Sequence, residues 1–157
     1  MNKKPILSST KLRSALLILM GLISTVGLID AMYLTVTHYT QALVPCNFTH
    51  GCETVLQSSY SEILGLPIAS LGIIFYVVVL AAVVYFLQHK TYHWWLSVWG
   101  IIGFCSTLYL LYIQAFVLNA FCQYCLLSAA TSTLIFILTT VLYWNNRLRG
   151  NKNNDQK

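Results

Sequence analysis

The chain has 157 residues, of which 57% are hydrophobic and only 8% charged, and it carries a formal net charge of +5. That balance excludes an ordinary soluble domain, because too few polar residues remain to face water. The basic charge does not mark a nucleic-acid partner, since the nine Lys and Arg residues sit only where apolar segments begin or end.

A helix rises about 1.5 Å per residue and needs roughly 20 apolar residues to cross the hydrocarbon core. Apolar run length predicts an all-α membrane protein with four transmembrane helices, at about 12–37, 67–87, 93–118 and 123–144. Residues 1–11 form a basic tail with Lys3, Lys4 and Lys11, and Arg13 opens the first span. Lys90 lies between the second and third spans, and Arg147, Arg149, Lys152 and Lys157 belong to a polar tail at 145–157, expected to be disordered. By the positive-inside rule both termini are cytoplasmic. The loop 38–66 and the turn 118–121 contain no Lys or Arg and face the opposite, oxidising compartment. The first apolar run is too long for a cleavable signal peptide and lacks a convincing small-residue cleavage site, so a retained helix is expected.

The first span carries Gly21, Gly27 and one acid, Asp30. About 25 Å along the helix, Asp30 reaches the far interface. An ionisable residue at that depth is a candidate for function, here a proton relay, or else an interfacial group reaching water. The loop then presents Cys46 and Cys52 with five residues between them, spacing that can close into a disulfide and expose either sulfur to a partner. Apolar Val55, Leu56, Tyr60, Ile63 and Leu64 follow at roughly helical intervals, which predicts a short amphipathic helix ending at Gly65-Leu66-Pro67 and capping the bundle. His38 and His50 could join the loop cysteines as metal ligands, but their spacing fits no common zinc pattern and no metal is assigned. Asn47-Phe48-Thr49 matches the glycosylation sequon.

The third span contains Gly100, Gly103 and an odd fifth cysteine, Cys105, expected to be a packing residue. The fourth opens with Phe121-Cys122-Gln123-Tyr124-Cys125. Residues i and i+3 share a helix face, so Cys122 and Cys125 can open and close as a disulfide with little backbone movement, and the helix N-terminus favours a thiolate. The same pair could be half of a four-cysteine metal site, or two small core residues. Four cysteines allow three connectivities. Ser128, Ala129 and Ser132 continue the helix as a small-residue stripe, leaving room for a neighbouring helix or a flat ligand.

In combination these elements resemble the vitamin K epoxide reductase family, in its bacterial disulfide-forming branch. The likeness rests on Cys46 and Cys52, on Cys52-Glu53-Thr54-Val55-Leu56-Gln57-Ser58-Ser59 leading to Leu71-Gly72-Ile73-Ile74-Phe75-Tyr76, and on Phe121-Cys122-Gln123-Tyr124-Cys125, from about Gly27 to Leu142. The resemblance implies that Cys122 and Cys125 lie beside a quinone of the ubiquinone or menaquinone type. It further implies that Cys46 and Cys52 carry electrons from a DsbA-like thioredoxin-fold protein, with the four cysteines on the periplasmic side of a bacterial inner membrane. Ser58 falls where the family has a serine near the quinone. Ile68 and Ala129 stand where the animal enzymes have an asparagine and a tyrosine that bind the vitamin K head group, which implies a plain quinone reductant. Family members often carry a fused thioredoxin-like domain; none is seen in this sequence, so a separate partner protein is expected. The contrasting expectation is a four-helix membrane scaffold in which both cysteine pairs are permanent structural disulfides.

Overall fold

The computed structural model describes residues 6–42, 44–46, 51–63, 65–89 and 94–154; side chains are described from Lys11 to Arg147 within those limits. His50, Lys90 and the Asn47-Phe48-Thr49 sequon lie outside the described residues. In chain order the elements are α1 (Ile6–Thr40), α2 (Cys52–Leu56), β1 (Glu62–Ile63), β2 (Leu66–Pro67), α3 (Ile68–His89), α4 (Trp95–Tyr112, continued by a π turn at Ile113–Val117) and α5 (Gln123–Asn154).

Among the described residues, four helices are long and apolar enough to cross a membrane: Lys11–Thr40, Ile68–His89, Trp95–Val117 and Gln123–Arg147. The chain is a multi-pass membrane protein built as a four-helix bundle. Their outward faces stay apolar, as surfaces that meet lipid must; Ile18, Leu22, Ile29 and Val36 on α1 are exposed examples. α1 packs along both α3 and α5, and α4 packs on α5, whereas α3 and α4 meet only sparsely. At 35 residues, α1 is about 50 Å long, well beyond a hydrocarbon core of about 30 Å.

Close packing comes from small residues and from a few buried polar bridges. Leu17, Met20, Tyr76, Val79, Phe86, Leu96 and Ile135 form the centre of the core. The Tyr76 ring lies against Gly27, where any side chain would collide with it. Its hydroxyl spans to α5, 2.7 Å from Thr131 Oγ1 and 3.1 Å from Ser128 Oγ. The Thr107 and Ser132 hydroxyls join α4 to α5 in the same way. Each bridge satisfies groups that water cannot reach.

Two predicted features differ. The amphipathic helix is only five residues long. Its carbonyls are taken up by a turn, with Gln57 N–H donating to Glu53 and Ser58 N–H to Val55, and the chain then forms the β1–β2 hairpin, register Glu62↔Pro67 and Ile63↔Leu66. Gly65 supplies the left-handed φ of 78° that the hairpin needs. His38 at the end of α1 holds this hairpin through a 3.2 Å contact of Nε2 with Glu62 Oε1. The second difference is at the C-terminal end, where α5 continues to Asn154 rather than giving way to a disordered tail at 145.

Gly27→Ala should lower stability by about 1–3 kcal/mol, the usual penalty for overpacking, while Gly21→Ala, whose added carbon meets Val83 at an ordinary 3.5 Å, should not. Thermal unfolding of the two variants in the same detergent checks the contrast.

Candidate functional site

The site begins where α4 ends. Widening into a π turn at Ile113–Val117 rotates Gln114 into the protein, where its side chain is buried. Leu118 N–H closes the turn onto Ile113 O at 2.9 Å, and Ala120 N–H reaches Gln114 O at 3.1 Å. Asn119, with φ of 48°, reverses the chain. Gln114 Oε1 then accepts the Cys122 backbone N–H at 3.0 Å, and Cys122 O accepts from Leu126 N–H at 3.0 Å, the first bond of α5. Cys122 therefore sits at the mouth of the helix with Cys125 one turn in. π turns often mark functional positions; here the turn aims a neutral amide at the cysteine backbone.

The loop pair is docked onto this corner. Cys46 and Cys52 form a disulfide with their Cα atoms 6.1 Å apart. Gly51 is buried, and a Cβ there would come within 2.8 Å of Phe121 N and 2.9 Å of Ala120 Cβ. Only glycine lets the loop lie that close. From the other side, Gln123 Nε2 and Tyr124 Oη donate to Pro45 O at 3.2 and 3.3 Å. Cys52, Val55 and Cys122 form one buried cluster, with Cys46, Leu118, Tyr124 and Cys125 packed around it. The structure thus brings together all four cysteines picked out in the sequence.

The sulfurs are not equivalent. Cys52 and Cys122 are buried at 1% and 0% exposure, while Cys46 remains partly open. Cys122 and Cys125 are thiols in this structure. The Cys125 thiol donating to the Cys122 sulfur pulls the latter's pKa down to about 7. Burial opposes that shift, the backbone N–H groups of Cys125 and Tyr124 add to it, and Asp30 weakly opposes it. The backbone share of that lowering is the expected effect of a helix N-terminus on a cysteine placed there.

Cys125 faces elsewhere. It lines a cavity of about 640 Å³ together with Ser58, Ile68, Phe75, Gly103 and Ala129, a volume inside the roughly 300–1,000 Å³ of small-molecule sites. The walls are chiefly apolar, interrupted by Ser58, Gln114, Ser128 and Ser132, and the cavity occupies the gap left by sparse α3–α4 contact. Ala129 and Ser58 are both where a flat ligand beside Cys125 would meet them; the Ser58 hydroxyl is also bonded to Val55 O at 2.7 Å. An apolar slot with a sulfur at one end suits a quinone ring. Cys105, expected as a packing residue, is instead exposed and lines the same cavity, because α4 turns that face toward the gap.

Asp30 is buried at 5% exposure. Its Oδ2 has no hydrogen-bond partner among the described residues. His38 serves the hairpin contact rather than a metal, and among the described residues no three His, Cys, Asp or Glu side chains gather to hold one. Gln114 and Tyr76 escaped the sequence reading. For Gln114 the available signal was its position as the one amide within the third span, Trp95–Val117.

The family model described as the vitamin K epoxide reductase family matches residues 18–140, which include every element of this site. The chain belongs to that family and is a membrane oxidoreductase acting on disulfides.

The lowered Cys122 pKa sets a pH dependence. A group whose thiolate is stabilised ionises on the rising limb through about pH 7. In protein with Cys46, Cys52 and Cys105 replaced by Ser and the helix pair reduced, thiolate ultraviolet absorbance should be half-developed near that pH. A midpoint in the ordinary thiol range, around 8.5, would contradict the assignment.

Proposed function

We propose that this member of the vitamin K epoxide reductase family is a thiol oxidase of its bacterial, disulfide-forming branch. It reoxidises a DsbA-like thioredoxin-fold protein and passes the electrons through Cys46 and Cys52, then Cys122 and Cys125, to a quinone of the ubiquinone or menaquinone type. In this reading the chain lies in a bacterial inner membrane with both termini cytoplasmic and the cysteines periplasmic. The gradation of the four sulfurs is the observation that carries it: Cys46 is partly open, Cys52 and Cys122 share one buried cluster, and Cys125 alone of the four lines the cavity.

The steps follow from thiol–disulfide exchange. A partner thiolate attacks Cys46 Sγ, forming a mixed disulfide and releasing Cys52. The partner's second thiol resolves that bond, leaves oxidised, and returns Cys46 as a thiol. Cys52 thiolate attacks Cys122 of a Cys122–Cys125 disulfide, expelling Cys125 as a thiolate into the cavity wall. Cys46 then closes on Cys52, and the helix pair is left reduced.

When bound, the quinone supplies the two-electron sink. Ser58, Cys125 and Ala129 would hold the ring, in a cavity that Ile68 also lines. Neither Ile68 nor Ala129 offers a side-chain donor, which fits a ring reduced without chemistry at an epoxide oxygen. Burial of Cys122 and Cys52 keeps the exchange between the pairs away from water and from unrelated thiols.

Purified protein given a reduced DsbA-like partner and a short-chain ubiquinone tests the relay. Native protein should turn over, and Cys125→Ala should fall to background with any donor. Cys46→Ala should fail with the protein partner yet still reduce quinone from a small dithiol. Folded protein that fails to turn over with any quinone or thiol donor, both disulfides intact, would instead establish a scaffold with permanent disulfides.

A further inference from the structure

A buried carboxyl group without a hydrogen-bond partner is costly to keep, more so at membrane depth, unless it has a use. Asp30 is such a group: 5% exposed, with Oδ2 unpartnered among the described residues. Its place on α1 is fixed on both sides. One turn before it, Gly27 lies against the ring and hydroxyl of Tyr76; one turn after it, the Tyr33 ring packs at a tilt against Tyr124 of α5 with centroids 5.2 Å apart. Between these two contacts α1 passes the start of α5: Tyr76 beside Gly27 bonds Ser128, and Tyr33 packs on Tyr124, so Asp30 lies level with the turn of α5 that carries Cys125. No Lys or Arg occurs between Arg13 and Lys90, or between Lys90 and Arg147, so no basic side chain of the neighbouring helix segments can neutralise it.

We propose that Asp30 is the proton acceptor of the Cys122–Cys125 pair, holding at Oδ2 the proton that the pair gives up and releasing it toward the cavity. Two negative charges side by side in this low-dielectric corner repel strongly. A thiolate at the helix mouth therefore coexists with a protonated Asp30, and the two groups share one charge. The proposal rests on the quinone-reduction reading above and specifies its proton path.

Oxidation of the reduced pair breaks two S–H bonds and forms one S–S bond, releasing two electrons and two protons, all of which end on the quinone as it is converted to the hydroquinone. One proton passes from Cys122 to Asp30 as the thiolate forms. Tyr76 joins Asp30 to the cavity, because its hydroxyl lies against Gly27, bonds Thr131 and Ser128, and lines the cavity wall. Once the S–S bond has discharged the thiolate, Asp30 can lose its proton along that side without a like charge beside it.

The test is Asp30→Asn, an isosteric change that removes the acid, with Asp30→Glu as the conservative control. Two readouts are compared with native protein: thiolate absorbance of the reduced helix pair against pH, and single-turnover quinone reduction by that pair. Without the competing charge, Asp30→Asn should show about twofold or more thiolate at pH 6, as a shift of some tenths of a pH unit gives. It should nevertheless reduce quinone at least about tenfold more slowly, a barrier change of roughly one decade. Asp30→Glu should recover most of the rate, and the Asn variant should melt no lower than native, since it loses an unpartnered carboxyl. A variant with more thiolate that reduces quinone as fast as native, or faster, would make Asp30 a mere charge and overturn the proposal. Coincident thiolate curves would overturn it too. Native protein that reduces no quinone removes the functional reading and the delivery step together, and the thiolate curves alone then decide whether the charge is shared.

Discussion

The approach of Gly51 to the backbone of Phe121 and the side chain of Ala120 is the contact on which the rest of the site depends. A side chain at Gly51 would meet main-chain atoms at 2.8–2.9 Å, and main chain at a helix mouth has little freedom to yield. That contact lays Cys52 onto Cys122. The hydrogen bonds from Gln123 and Tyr124 to Pro45 hold the opposite side of the same loop. Thiol exchange needs one sulfur to reach another along a defined line, and here the backbone brings the two pairs together before any partner arrives.

Position within the membrane divides the work. The disulfide loop, α2 and the β1–β2 hairpin lie at one end of the bundle, and His38 of α1 holds the hairpin through Glu62. Below them, α3 and α4 stand apart and the cavity fills the space, with Cys125 at its upper wall. Cys122 at the helix mouth gains a lowered pKa from its partner thiol and from backbone N–H groups, which makes it the pair's better thiolate. Asp30 is buried on α1 between the contacts of Gly27 with Tyr76 and of Tyr33 with Tyr124. The proposed path therefore separates electrons, which move outside to inside through sulfur, from a proton held on the α1 side.

Much of this was legible in the sequence because membranes simplify the reading. Run length alone located four helices to within a few residues, since lipid forbids unpaired backbone and leaves the helix as the chain's one economical form. The 1.5 Å rise alone carried Asp30 to the far end of the first span. What was missed lay where local pattern and tertiary context diverge. The stretch from Glu53 to Leu64 carries apolar residues at helical intervals, yet only Cys52–Leu56 is helical; Gly65 and Pro67 favour a hairpin that helical periodicity cannot register. The π turn that aims Gln114 has no sequence signature, and Cys105 was assigned to packing because nothing in the sequence reveals that α3 stays clear of that face of α4.

The central claim is that the loop pair and the helix pair exchange directly, through Cys52 and Cys122. It is tested most directly by the double variant Cys46→Ala, Cys125→Ala, in which those two sulfurs are left without their usual partners. After mild oxidation in the membrane, peptide mapping by mass spectrometry should find a Cys52–Cys122 disulfide within single chains. If both cysteines instead stay as free thiols, or pair only between chains, the two pairs do not form one relay.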